Sequence, residues 1–326
     1  MYYNNYMEVI NLEKFKNCDL SLYLGLEKYA INNIKDDCFF IWDINKSIII
    51  GKNQLLEAEV NVEKALNNGY KIYRRPSGGG AICADENCFM FTFISSYQSK
   101  DEMYKNYLNK IIQALHKLNI DVYLSGRNDL MFKNKKFSGN AIYYENNRCI
   151  LHGTFLYNSN LDLLVDILNP SNDKLISKGI QSVKERVINI APYINLNKDE
   201  LIHYLNNNID DNIKMYYLND EEVKKVYNLK EEFEDKAYIY KKNIPFTYKN
   251  KYRFPCGEIN IFIDVNLGKI KNISLIGDFF QLKDLQALYD KYLNKDYKDI
   301  KLINENINIE EYILGLSNEE YNRLFI

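Results

Sequence analysis

Between two stretches of strand-like sequence lies Arg74-Arg75-Pro76-Ser77-Gly78-Gly79-Gly80-Ala81, and few runs restrict a fold more. Three adjacent glycines remove every Cβ, so backbone N–H groups can come close to an anion. The two arginines at the end of the preceding strand add positive charge and forked donors that suit phosphate or carboxylate. Alone, a glycine run is equally a flexible turn; the arginine pair is what favours an anion site. Tyr70–Arg74 reads as a strand before the run, and Phe89–Ser95 as a β-rich stretch after it. Two familiar phosphate-binding motifs are thereby excluded. The pattern GxxxxGK(S/T) is absent, and a GxGxxG loop opens a helix where this one leads to a strand.

The elements around this loop mix helices and strands. Asp19 stands where it can cap a helix running to about Asn32, with Leu20, Tyr23, Leu24 and Tyr29 near helical spacing. Short strands are predicted over Cys38–Asp43 and Ser47–Gly51, and a helix over Val60–Leu66. Residues 102–118 have the stripe of an amphipathic helix, and strands follow over Asp129–Phe132, Lys136–Tyr144 and Cys149–Tyr157. From about 160 to 235 the pattern is mainly helical. A second unit then begins: Ile259, Ile261, Ile263 and Val265 alternate with Asn260, Phe262 and Asp264, and Asn266–Lys269 turns the chain into a partner strand, Ile270–Ile276. Helical patterns at 283–292 and 308–323 complete it. Pro245 and the polar run Lys249-Asn250-Lys251 mark the linker, so the division predicted is 1–245 and 246–326.

With 326 residues the chain can bury one large core and a smaller one. A formal net charge of −2 leaves no global basic field for nucleic acid. The six cysteines are scattered without a CxxC and only three histidines exist, so no zinc site of ordinary spacing can be assembled. No apolar run approaches the roughly 20 residues of a membrane helix, and the N-terminal stretch lacks the features of a secretory signal. The expectation is a cytoplasmic protein with no membrane partner.

Three further features carry chemistry. In Lys135–Ala141 (KKFSGNA), strand periodicity puts Lys136, Ser138 and Asn140 on one face and Phe137, Gly139 and Ala141 on the other. Such a polar face either meets solvent or lines a pocket. His152 and Thr154 share a face of the next strand, where a lone histidine is either structural or catalytic. Asp129 is either a Mg²⁺ ligand beside a nucleotide or a turn aspartate bonded to its own backbone.

Taken together, Arg74–Ala81 (RRPSGGGA), Gly126–Leu130 (GRNDL), Lys136–Ala141 (KFSGNA), His152–Thr154 (HGT), Leu168–Pro170 (LNP) and Lys178–Val187 (KGIQSVKERV) occur in the order and spacing of lipoate-protein ligase A. Phe254–Asp264 (FPCGEINIFID) with Gly277–Phe279 (GDF) resembles that family's C-terminal accessory domain, so the resemblance covers nearly the whole chain. It implies an α/β (α+β) catalytic domain of mixed β-sheets and flanking helices, as in biotin-protein ligases, plus a small α+β accessory domain. It also implies that lipoate and ATP, with Mg²⁺, form lipoyl-AMP, and that a lysine of an acceptor then takes the acyl group. The acceptors implied are lipoyl domains of 2-oxoacid dehydrogenase E2 subunits and the glycine cleavage H protein.

By position, the resemblance assigns Lys136 to contact both the lipoyl carbonyl and the α-phosphate. It assigns Arg75, Ser77, Gly78, Gly79, Gly80, Ala81, Ile82 and Cys83 to the nucleotide, and Trp42, His152 and Arg75 to the lipoate pocket. Two departures stand out: Ala84-Asp85-Glu86-Asn87-Cys88 replaces the usual His-Asp-x-Gly-Asn, and Lys52 stands where an arginine is usual. Rival readings are a transferase of the same fold that works through a cysteine thioester, a biotin-protein ligase, and a non-catalytic lipoyl-binding protein. Ser125–Asp129, where the related transferases place that cysteine, contains none.

Overall fold

The strand Cys38–Asp43 (CFFIWD) buries five successive side chains, which places it inside a sheet covered on both faces. The computed structural model describes residues 6–16, 18–126, 128–168, 186–240 and 245–325. In chain order its strands are β1 (Met7–Ile10), β2 (Cys38–Asp43), β3 (Ser47–Ile50), β4 (Lys71–Arg74), β5 (Ile82–Ala84), β6 (Cys88–Ser96), β7 (Val122–Ser125), β8 (Asp129–Phe132), β9 (Lys135–Glu145), β10 (Arg148–Leu156), β11 (Ile213–Tyr216), β12 (Tyr248–Phe254), β13 (Gly257–Asn266) and β14 (Lys269–Gly277). The main sheet has the order β11-β1-β2-β6-β10-β9-β8-β7. Its first three strands are parallel and the rest pair antiparallel.

Alternation decides what each face meets. Phe39, Ile41, Phe89, Phe91 and Phe93 join one core, with Leu108, Ile111 and Leu115 from the helical segment that follows β6. Phe40, Trp42, Met90 and Ile150 join the other, with the helices α1 (Leu20–Asn33) and α2 (Asp220–Glu234). A small sheet of order β4-β3-β5 stands beside the main one, and the glycine loop is the crossing from β4 to β5. The meander β12-β13-β14 and the helices after it have a core of their own, drawn from residues 248–325. This unit sits on the glycine loop. The Gly277 N–H donates to the Asn53 carbonyl at 2.8 Å, and the Asn53 amide to Gln281 Oε1 at 3.2 Å.

Several elements differ from the sequence expectation. Asp19 precedes α1 but makes no capping bond; its carboxylate takes the Lys71 ammonium at 2.8 Å instead. The helix expected at 102–118 is interrupted by a wide turn over Tyr104–Leu108. Ile213–Tyr216, inside a helical stretch by pattern, is the edge strand β11, made so by parallel pairing with β1. Lys249-Asn250-Lys251 is no linker but part of β12, whose polar side chains face out because an outer strand of a meander is covered on one side only. The pattern at 308–323 resolves into two short helical turns separated at Gly315, which has φ +72°. The LNP and KGIQSVKERV motifs lie largely outside the described residues. No described helix is long and apolar enough to cross a membrane.

α1 and α2 pack closely because Gly25 leaves no side chain between them. A Cβ there would lie 2.9 Å from the Val226 carbonyl oxygen and 3.0 Å from the Lys230 nitrogen, both backbone. Gly25→Ala is therefore expected to destabilise the chain by about 1–3 kcal/mol, as overpacking does. Urea unfolding measures this; an unchanged or raised midpoint would show that the helices adjust freely.

Candidate active site

The glycine loop is held from inside. Arg75 is 5% exposed and donates from Nε to Ser77 Oγ at 3.0 Å, from Nη2 to the Gly78 and Gly80 carbonyls at 2.7 and 2.8 Å, and from Nη1 to the Ile49 carbonyl at 3.2 Å. Arg74 is fully buried and donates to the carbonyls of Gly51, Gln54, Tyr238 and Ile239. Burial pulls both guanidinium pKa values down to about 10, which still leaves them charged at neutral pH. The two arginines thus brace backbone, where the sequence suggested fork donors held out to an anion.

Beyond Arg75 the bracing continues as one buried chain of hydrogen bonds. Ser77 Oγ lies 2.7 Å from His152 Nε2, and His152 Nδ1 lies 2.9 Å from Glu27 Oε1. Thr92 Oγ1 donates to the same Glu27 oxygen at 2.7 Å and accepts from the Trp42 indole at 3.0 Å. Glu27, Thr92, Ser77 and His152 are at most 2% exposed. Ser77 Oγ receives the Arg75 N–H, and the two imidazole nitrogens of His152 bridge Ser77 and the Glu27 carboxyl group. The result is a buried guanidinium and a buried carboxyl group joined through Ser77 and His152.

Two cavities open beside this chain. The first, of 480 Å³, is walled by Arg75, Gly79, Gly80, Met90, Asn140, Ala141, His152 and Thr154, and roofed by Arg253–Gly257, Asp278 and Phe280 of the C-terminal unit. The second, of 490 Å³, has Cys83, Cys88, Asp129, Leu156, Leu161, Leu164 and Leu168 on its walls. Lys136, Gly139, Thr154, Ala81 and Ile82 belong to both. The Lys136 ammonium is paired with Asp129 at 2.7 Å.

Strict alternation does not hold along β9. The register with β8 shifts between Leu130 and Met131, and the lysine side chain lies over Gly139: a Cβ at that glycine would be 2.7 Å from Cε and Nζ. Lys136 and Gly139 therefore share a wall that simple periodicity keeps apart. The GRND and SGN motifs prove to be one unit, since the Asn140 amide donates to the Asn128 carbonyl at 2.8 Å and the Asn128 amide to that of Asn140.

The remaining expected residues separate by position. Ser77 lies beneath the wall, in the buried chain. Gly78 lies under the C-terminal unit, where a Cβ would meet the Phe279 carbonyl oxygen at 2.2 Å; the Gly79 N–H donates to that oxygen at 3.4 Å from φ +90°. Trp42 stands behind the first cavity, against Tyr23 at 5.1 Å between ring centroids, and reaches Glu27 only through Thr92. Glu27 was not anticipated. Its signal is a carboxylate four residues after Tyr23 on the apolar stripe of α1, where burial demands a partner. Asp85, within the departure from the usual motif, accepts from the backbone N–H groups of Asn87 and Asn160 at 3.0 and 3.1 Å and so ties the β5–β6 turn to the next helix. Burial pushes the Cys83 and Cys88 thiols up to about 12, and that of Cys149 upward.

Residues 19–210 match the model of the lipoyl protein ligase A/B catalytic domain, and residues 243–325 that of the bacterial lipoate protein ligase C-terminus. The chain belongs to the lipoate-protein ligase family. It is 31% identical to lipoate-protein ligase LplJ of Bacillus subtilis, over 93% of this chain and 96% of that one. It is likewise 31% identical to lipoate-protein ligase 1 of Staphylococcus aureus, over 94% and 96%. Among solved structures it has the fold of a Plasmodium falciparum protein crystallised with lipoate (TM-score 0.73, 22% identity, 98% of this chain and 96% of that one). It also matches a bipartite lipoate-protein ligase of Thermoplasma acidophilum studied with its E2 lipoyl domain (TM-score 0.63, 21% identity, 74% and 99%) and a lipoate-protein ligase A bound with ATP (TM-score 0.58, 20% identity, 68% and 93%).

In this ligase the bracing predicts a large cost for the loss of Glu27. Glu27→Ala leaves His152 Nδ1 and the Thr92 hydroxyl without their partner and should destabilise by about 3–5 kcal/mol, as removing one member of a buried network does. A loss below about 1 kcal/mol in urea unfolding would mean that the network is not maintained in solution.

Proposed function

We propose that this ligase activates lipoate with ATP and transfers the lipoyl group to a lysine of a lipoyl domain. The observation that carries the reading is the meeting of two cavities of similar size at one lysine, Lys136. In this reading the first cavity takes the acid and the second, with Ile82 and Cys83, the nucleotide. A carboxylate oxygen attacks the α-phosphorus, the bond to pyrophosphate breaks, and lipoyl-AMP forms. The neutral amine of the acceptor lysine then attacks the carbonyl carbon and AMP leaves. Two anions must approach in the first step, so stabilisation of charge is the main task. Lys136 supplies a compact ammonium at the junction, and the glycine loop supplies backbone around it.

Asp129 is the acidic side chain on the walls of the second cavity, and among the described residues no group of three His, Cys, Asp or Glu could hold a metal alone. That suits Mg²⁺ held by one carboxylate together with nucleotide phosphates. When bound, it would offset phosphate charge. Asp129 in turn sets the lysine, which it releases to the substrates or shares with them. Residues 1–245 are read as the catalytic domain and 246–326 as the accessory domain, a division supported by hydrophobic cores that do not mix residues from the two sides. E2 subunits and the H protein are the acceptors proposed; the pairing of the Thermoplasma ligase with an E2 lipoyl domain supports the class.

The direct test is ATP–pyrophosphate exchange with lipoate, octanoate and biotin. Exchange with lipoate is expected; transfer from a lipoylated donor without ATP would replace the ligase with an amidotransferase. Lys136→Ala should lower adenylation by about 10²–10³-fold without altering far-UV CD. Gly139→Ala drives a methyl into the lysine amine and should lower it on the order of 10²-fold by misplacement, with stability nearly unchanged. Normal rates in both variants would remove Lys136 from the chemistry. Cys83→Ser, Cys88→Ser and Cys149→Ser should each keep most activity, since burial holds all three thiols protonated. An acyl-thioester trapped on the wild type would overturn that.

A further inference from the structure

Three cationic side chains stand on the wall of the first cavity: Arg75, Lys136 and Arg253. The Arg75 donors are taken by loop carbonyls and Ser77, and Lys136 is paired with Asp129. Arg253 differs. It comes from β12 of the C-terminal unit, its side chain is 27% exposed, and its Nη1 is buried with no hydrogen-bond acceptor. The nearest carboxylate oxygens, Asp278 Oδ2 and Glu258 Oε2, lie 3.9 and 4.0 Å away, beyond hydrogen-bond reach. Both carboxylates have closer partners. Glu258 Oε2 takes the Lys251 ammonium at 3.1 Å, and Asp278 Oδ1 accepts the Glu258 N–H. The guanidinium is thus oriented by charge on two sides while Nη1 keeps no hydrogen-bond acceptor, in the roof of the first cavity. A buried charged donor without an acceptor calls for one.

We propose that Arg253 binds an oxyanion of the substrates, a carboxylate or a phosphate, during adenylation, so that the C-terminal unit contributes a catalytic guanidinium to the cavity. The inference rests on the ligase reading above. A planar fork suits either anion bidentately, and an ammonium would meet only one oxygen.

The test uses the full-length chain as wild type, Arg253→Gln and Arg253→Lys. Lipoate-dependent exchange is measured with separate KM values for ATP and lipoate, alongside calorimetric binding of ATP alone and thermal unfolding. Arg253→Gln should lower kcat/KM for exchange on the order of 10²-fold or more. Arg253→Lys should recover part of the loss, and both should melt like the wild type. A raised KM for ATP with weaker ATP binding identifies a phosphate as the anion; a raised KM for lipoate alone identifies the carboxylate. All parameters within twofold of wild type would overturn the proposal, as would equal losses in both variants accompanied by lower melting, which is a structural role. A wild type that binds no ATP and shows no exchange would instead sink the ligase reading, and this inference with it.

Discussion

A guanidinium folded into the concave side of its own turn is the interaction on which the rest of the site depends. Arg75 draws the carbonyls of Gly78 and Gly80 towards itself and holds Ser77, from which a buried chain of hydrogen bonds runs to Glu27. Inside a protein an unpartnered polar group is costly, so the two ends are linked in energy as well as in space. The chain runs from the loop through β10 to α1, with β6 and β2 behind it through Thr92 and Trp42. A flexible triglycine is thereby given one shape by elements that are themselves held in the two cores of the main sheet.

Against this fixed loop, one irregularity places the Lys136 ammonium. The shift of register between β8 and β9 brings the Lys136 side chain across Gly139 and within reach of Asp129. The glycine there is not a hinge; it is the space that the lysine occupies. Asn128 and Asn140 fasten the turn after β7 to the same strand. The two cavities consequently meet at one ammonium, which stands between an acid chain and a nucleotide in the proposed reaction.

The C-terminal unit completes the arrangement from above. Its Phe279 carbonyl lies where Gly78 has no side chain, and it receives the Gly79 N–H. The same glycines therefore serve two purposes: Gly78 admits a neighbouring backbone, and Gly79 takes a left-handed conformation. Close backbone contact of this kind makes the fit of the two units sensitive to any side chain added to the loop.

Much of this was legible in the residues alone. The period-two runs, the glycine loop between strands, the lysine in KKFSGNA and the break into a second unit are local patterns, and local patterns follow from backbone sterics and the spacing of apolar side chains. The ordered motifs were sufficient to place the chain in its family. What they left undetermined has a common physical origin. Whether an arginine faces an anion or a carbonyl, whether a polar run is a linker or an edge strand, and which side of a strand a lysine finally occupies depend on partners far away in sequence. Arg75 meets Glu27 only through Ser77 and His152, Lys249–Lys251 becomes a strand only by pairing with β13, and Lys136 reaches its position only through a register shift with β8. Residue type and spacing determined the elements and the inventory of charged groups; the tertiary structure decided which of those groups are satisfied by the protein and which are left for a ligand, because burial and hydrogen-bond partners exist only once the chain is packed.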